Sequence, residues 1–334
     1  MKVRARFAAG MLLAAGMLLA AGCGGSGGSG GGDKLTLVAY STPREAYEAL
    51  IPAFQKTDAG QGISVSQSYG ASGDQTRAVQ NGLAADLVAL SLEPDMTKLV
   101  DDGLVAKDWD ANAHKGMVTD SVVVLVTRKG NPKNIRTWDD LVKPGIEVIT
   151  PNPFTSGGAR WNVMAAYGAQ LELGKSPEQA VAYLEQLFGN VPVQDKSARE
   201  SLQTFVGGKG DVLIAYENEA ITAQQKDQPV DYVVPDQTIL IENPIAVTTK
   251  SKSPEKAKAF LDYLLTPEAQ QVFADKGYRP VNQQVAATAN FPRPSGLFTI
   301  ADLGGWSEVT KKFFDKKAGI MADIEQKIGI SIGS

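Results

Sequence analysis

Glu147-Val148-Ile149-Thr150-Pro151-Asn152-Pro153-Phe154-Thr155-Ser156-Gly157-Gly158-Ala159-Arg160-Trp161 passes from a short apolar run, through a turn of small and hydroxylated residues, into a helical pattern that continues to about residue 171. The apolar run ended by proline reads as a strand, and the Ser-Gly-Gly turn sits where a helix begins. The same order of strand, small-residue turn and helix recurs upstream. Residues 35–40 lead through Ser41-Thr42-Pro43 to a helix over 45–56, and residues 63–69 lead through Gly70-Ala71-Ser72-Gly73-Asp74 to a helix reaching Val79. A strand over 85–90 precedes a helix over 93–102, at whose solvent end the Asp101-Asp102 pair falls. Downstream, strands are predicted at 121–127, 211–216, 232–234 and 246–248, with a short helix at 138–142. Longer helices are predicted at 177–187, 197–206, 254–265, 267–276 and 306–327, with another after Glu217-Asn218-Glu219. Alternation of this kind predicts an α/β fold with mainly parallel sheets.

The chain has 334 residues, so two lobes are the default expectation. Its 43% hydrophobic and 21% charged content is ordinary for a protein with a full core. Net charge is -4 and no basic stripe appears, which argues against a nucleic-acid partner. Lys2, Arg4 and Arg6 precede an apolar run over 7–21, then Ala20-Ala21-Gly22-Cys23. That is the three-part form of an export signal, and the apolar run is short for a membrane span. Small residues directly before a cysteine resemble a bacterial lipoprotein processing site. The resemblance implies removal of 1–22 and lipidation of Cys23; the plainer alternative is a secretory signal with an incidental cysteine. Cys23 is the only cysteine, so no thiol is left for disulfides, metal or nucleophilic chemistry. Residues 24–32 form a Gly/Ser tether reaching ~15–20 Å, enough to hold a body just off a bilayer.

Four small-residue turns fall at helix starts: Ser41, Ser72-Gly73, Ser156-Gly157-Gly158 and Ser197-Ala198. A helix N-terminus leaves backbone N–H groups unpaired and carries roughly half a positive charge. Glycine admits a ligand close to the backbone, and serine adds a hydroxyl donor. Each turn taken singly is an ordinary helix cap. Together, in an exported α/β chain, they suggest a cup for an anion that needs no buried cation.

The stretch from Pro151 to Asn162 resembles the signature turn of the sulfate/thiosulfate-binding proteins of ATP-binding-cassette importers. The resemblance continues through Thr42-Pro43-Arg44-Glu45, Gly70 to Gln75, Arg128 to Pro132, Ser197-Ala198-Arg199, Asp211 to Glu219 and Tyr278-Arg279-Pro280. It implies a two-lobed periplasmic-binding-protein fold of type II, with the ligand in the interlobe cleft and held by neutral donors. Lobe 1 is then expected at 33–118 plus 246–334 and lobe 2 at 119–245, with crossings near Thr119 and Ile245. Carried over residue by residue, Ser72 and Ser156 match hydroxyl donors, and Gly157, Gly158 and Ala198 match backbone donors. Ser41 stands where the family often has Asp, and can supply the same amide. Tyr216 stands where many relatives have Trp; its hydroxyl donates from a different distance and can also accept. Arg160 and Arg199, next to ligand loops, are expected behind the contact layer, the alternative being surface ion-pair partners, and Glu217 and Glu219 are expected outside it.

The function implied is capture of sulfate or thiosulfate and delivery to the permease subunits of the importer, by a monomer tied to the membrane through its lipid. A site made only of donors favours sulfate, which carries no proton at neutral pH, over phosphate, whose O–H would lack an acceptor. The alternative within binding proteins is another tetrahedral oxyanion: phosphate, molybdate or tungstate. A secreted hydrolase would need a nucleophile with a base, or metal ligands. His114 is the lone histidine and lies in a polar stretch, no carboxylate–histidine spacing stands out, and Ser-Gly-Gly is not a Gly-x-Ser-x-Gly elbow. No catalytic residue, metal or cofactor is therefore expected. Phe154 and Trp161 read as packing residues.

Overall fold

The computed structural model describes residues 34–330, so the expected export signal, Cys23 and the expected tether lie outside the described residues. The first half opens with β1 (Lys34–Tyr40), α1 (Arg44–Phe54), β2 (Ser64–Gly70), α2 (Ser72–Gln80), β3 (Leu87–Ala89) and α3 (Glu93–Asp101). β1 pairs in parallel with β2 on one side and β3 on the other. Side chains alternate along β1: Leu35, Leu37 and Ala39 face α1, where Tyr47, Leu50 and Phe54 form a buried stripe, while Val38 faces Val88, Met96 and Leu99 on the other side.

β4 (Met117–Arg128) and β8 (Gln237–Val247) are long antiparallel strands that carry the chain between halves. At ~3.3 Å per residue each is long enough to serve both sheets. β8 pairs β3 near Ile245, while β4 pairs β6 (Val212–Tyr216) farther along. β5 (Val148–Ile149) lies parallel to β6, giving the order β2-β1-β3-β8-β4-β6-β5. Parallel pairing is thus confined to each half, and the sheet as a whole is mixed because the two crossing strands run antiparallel.

The second half adds α4 (Gly157–Glu172), α5 (Pro177–Gly189), α6 (Ala198–Val206), α7 (Glu217–Gln225) and β7 (Val230–Val233). Val123 and Leu125 of β4 face Trp161, Met164 and Tyr183, and Val122, Val124 and Val126 face Phe205 and Ala220. A turn of 3-10 helix replaces the short helix expected at Trp138–Val142. The chain then returns through α8 (Pro254–Leu264), α9 (Pro267–Asp275), β9 (Arg279–Pro280) and α10 (Gln283–Thr288), with Phe260 and Phe273 in the first-half core.

The last segment departs from expectation in two ways. β10 (Gly296–Phe298) pairs with β8 at Gln237–Ile239. Trp306 of α11 (Gly305–Phe314) meets Trp161 edge-on at 4.7 Å, and Phe313 meets Tyr167 at 4.7 Å. Residues from 296 onward therefore pair and pack with β8 and α4 of the second half, although α11 also touches α3 of the first. The helix expected over 306–327 is broken into α11 and α12 (Ile320–Lys327). Asp315 accepts from the N–H groups of Lys317 and Ala318, each at 2.9 Å, which turns the chain before α12.

Candidate functional site

The C-terminal ends of the parallel strands in both halves face one small hollow, the usual place for a ligand in α/β sheets. The first half contributes Tyr40, Ser41 and Thr42 after β1, Ala71 and Ser72 after β2, and Ser91 after β3. From the second half come Ser156, Gly157 and Gly158 after β5, Ala198 at the start of α6 and Tyr216 at the end of β6. All seven residues expected at the ligand, Ser41, Ser72, Ser156, Gly157, Gly158, Ala198 and Tyr216, are brought together here. The hollow is small, far below the ~300–1,000 Å³ of pockets for drug-sized molecules.

Helix starts dominate the lining. Ser72, Gly157 and Ala198 are the first residues of α2, α4 and α6, so their N–H groups have no partner within the helix. Tyr216 caps α7, and Ser41 and Thr42 lie just before α1. Residues at or just before the N-terminal ends of α1, α2, α3, α4, α6 and α7 thus line the hollow, and such ends carry partial positive charge. Among the described residues, no lysine, arginine, histidine or carboxylate lines the hollow.

Each serine has a different local duty. The Ser156 N–H is bound to the Asn152 carbonyl at 2.9 Å, while its hydroxyl accepts from the Ala159 N–H at 3.4 Å and keeps its own hydrogen free. Ser72 departs from its expected role as a hydroxyl donor. Its Oγ donates to Asp95 Oδ2 at 2.7 Å and accepts from the Ser91 N–H at 3.0 Å, so what it offers the hollow is its backbone N–H. Asp95 is buried, which opposes its charge, but Lys98, Arg160 and Ser72 together hold its carboxyl below the usual range.

Ser91 was not singled out from the sequence. It occupies the turn between β3 and α3, the same place that Ser41 holds after β1, and that parallel was the available signal. Its Oγ lies 2.6 Å from the Tyr216 hydroxyl. Its carbonyl accepts from Trp161 Nε1 at 2.8 Å and Asn243 Nδ2 at 3.0 Å, so the buried Trp161 positions this turn as well as packing the core. Gly157 touches the same turn. A Cβ on it would lie 2.1 Å from Leu92 Cδ2 and 2.7 Å from Ser91 Cβ, so only glycine allows the two loops to meet.

The charged residues stand behind this layer. Arg160 donates to the Pro153 carbonyl at 3.0 Å and lies over the Phe314 ring at 5.0 Å. Arg199 binds Glu45 and donates to the Thr42 carbonyl at 3.1 Å. Burial works against the Glu45 charge, but Arg199 and Lys226 outweigh it and hold the carboxyl down at about 2. Glu217 pairs with Arg279 at 2.8 Å. Glu219 is 1% exposed, neither of its oxygens has a hydrogen-bond partner among the described residues, and burial pushes its carboxyl up to about 7. Neither glutamate lines the hollow. His114 lies in a half-buried loop outside the site.

Residues 35–279 match the model of the bacterial extracellular solute-binding proteins. The chain belongs to this family. A sulfate-binding protein of Synechococcus elongatus is 46% identical over 84% of this chain and 83% of its own. A thiosulfate-binding protein of Pseudomonas aeruginosa is 35% identical over 83% of this chain and 88% of its own. Among solved structures, the sulfate-binding protein SubI of Mycobacterium tuberculosis H37Rv superposes with a TM-score of 0.83 at 49% identity, covering 85% of this chain and all (100%) of that one. The architecture is the two-lobed periplasmic-binding fold of type II, and in this family member the hollow lies where its two halves meet.

Proposed function

We propose that this chain captures sulfate outside the cytoplasm and delivers it to an ATP-binding-cassette importer. The observation that carries the reading is the hollow itself: helix N-termini and hydroxyls from both halves border one small space, with no cation among its described lining residues. Hydrogen bonds from N–H and O–H to a charged oxygen are stronger than neutral ones. Several fixed dipoles sharing two charges leave no stranded cation when the site is empty. The relatives named for sulfate and thiosulfate support the ligand class.

Closure of two lobes is the proposed mechanism, with the anion binding the closed state better than the open one. The lobes are proposed as 33–118 with 246–295, and 119–245 with 296–330. The second grouping follows the pairing of β10 with β8 and the packing of α11 on α4. Cys23 is proposed as the lipid attachment point, holding a monomer at the membrane. That the relatives are named as binding proteins favours capture over hydrolysis.

The test is calorimetric titration with sulfate, thiosulfate, phosphate and molybdate. Sulfate should bind tightest, and Ser156→Ala should weaken it at least tenfold, as loss of one charge-assisted bond of ~1.5–3 kcal/mol requires. Tight phosphate or molybdate binding with weak sulfate binding would overturn the reading. Thiosulfate binding equal to that of sulfate would assign both ligands.

A further inference from the structure

Beside the hollow, one apolar side chain of the first half is buried among those of the second. Leu90, Met96 and Leu99 share a first-half cluster with Val38 and Val88. Leu92 stands between them in the chain, just before α3, and is fully buried. It belongs instead to the second-half cluster that holds Trp161, Trp306 and Val309. Among the described residues of the first half, only Tyr40 shares that cluster, and Tyr40 lines the hollow whereas Leu92 does not.

Two second-half helices build the socket. At the start of α4, Gly157 leaves the room that Leu92 fills: a Cβ there would lie 2.1 Å from Leu92 Cδ2. One turn on, Trp161 donates its indole N–H to the carbonyl of the neighbouring Ser91 at 2.8 Å. Trp306 of α11 backs the Trp161 ring edge-on at 4.7 Å, and α11 also touches α3. With Trp161 fixed by a hydrogen bond and by a second indole, the socket cannot readily collapse around a shorter side chain. Full burial of a leucine side chain shifts an equilibrium on the order of ten- to a hundredfold. Where that burial exists only with the lobes together, it favours closure and acts mainly on the rate of ligand release.

We infer that Leu92 is a positioning residue for closure: it docks across the lobe boundary in the socket of Gly157, Trp161 and Trp306, and so slows release of the bound anion without touching it. The inference rests on anion capture by lobe closure, as proposed above. It adds an apolar contact to the forces that hold the closed form, separate from the donors that hold the ligand.

The experiment loads the protein with radiolabelled sulfate and times its release into excess unlabelled sulfate. Equilibrium dialysis gives the affinity, and urea unfolding gives the stability of the ligand-free protein. Leu92→Ala should release sulfate about tenfold faster and bind it more weakly by a similar factor, with the ligand-free urea midpoint nearly unchanged. Leu92→Met, close in volume, should restore slow release. Leu99→Ala, inside the first-half cluster, should show the opposite split: lower ligand-free stability with release nearly unchanged. Leu92→Val, a milder truncation, should speed release about threefold and carries the test should Leu92→Ala not fold. Unchanged release in the Leu92 variants would overturn the inference and leave sulfate capture standing. So would a Leu92 variant that loses ligand-free stability as Leu99→Ala does without faster release, since an ordinary core residue predicts that result. Absence of sulfate binding by the unaltered protein would overturn the capture reading, and this inference with it.

Discussion

Glu219→Gln tests whether a carboxyl buried behind the site behaves as its surroundings demand. Glu219 sits in the first turn of α7, 1% exposed, with neither oxygen hydrogen-bonded among the described residues. Burial raises its carboxyl from 4.5 to about 7; Arg199 opposes the rise and Glu45 adds to it. A change of that size corresponds to ~3 kcal/mol. Between pH 4.5 and 7 the folded protein keeps this proton while the unfolded chain releases it. Stability therefore falls as pH rises through that window and levels off above it. Asp120 and Glu325, also raised to about 7 by burial, contribute slopes of the same sign. The difference between unaltered protein and variant isolates Glu219. Urea unfolding from pH 4.5 to 8 should show the unaltered protein losing ~3 kcal/mol more across this range than Glu219→Gln. The amide's own desolvation shifts the variant's curve by a constant and leaves its slope alone. Identical pH slopes would refute the reasoning, because they would mean that the carboxyl titrates equally in both states.

Gly157→Ala should press a methyl group against Leu92 and Ser91, which come from the other half of the molecule. Overpacking of ~1–3 kcal/mol, felt where the two loops meet, should weaken sulfate binding about fivefold or more while the ligand-free protein unfolds at nearly unchanged urea concentration. Unchanged affinity would show that the loops have room to part. For Cys23→Ser, cell fractionation should find the protein released from the membrane, with sulfate affinity in the purified body unaltered. Retention at the membrane would count against lipid attachment at that residue.

The site was legible because its chemistry depends on local backbone geometry. A serine or glycine at a strand-to-helix junction puts unpaired N–H groups at a known place in the chain, which marked the turns at Ser41, Ser72-Gly73, Ser156-Gly157-Gly158 and Ser197-Ala198, while the choice of individual residues as ligand contacts came from the family resemblance. Ser91 belongs to the same class of junction and went unnoticed because one serine before a helix looks like any cap. The break at Asp315 was obscured by the apolar spacing on either side, which continues across it. Sheet direction was misjudged for a different reason: β4 and β8 have the composition of buried strands, and nothing in a single strand states which way its neighbour runs.

By itself the sequence determined which segments form strands and helices, where helix dipoles begin and which donors those ends expose, since these depend on residues close together in the chain. Tertiary structure decided what those donors meet. Ser72 loses its hydroxyl to Asp95, Ser91 gains Tyr216 across 125 residues, Glu219 is buried without a hydrogen-bond partner, and the last helices pack on the second half. Such pairings depend on which side chains can reach one another once the sheet is assembled, and that is a property of packing in three dimensions that no local pattern encodes.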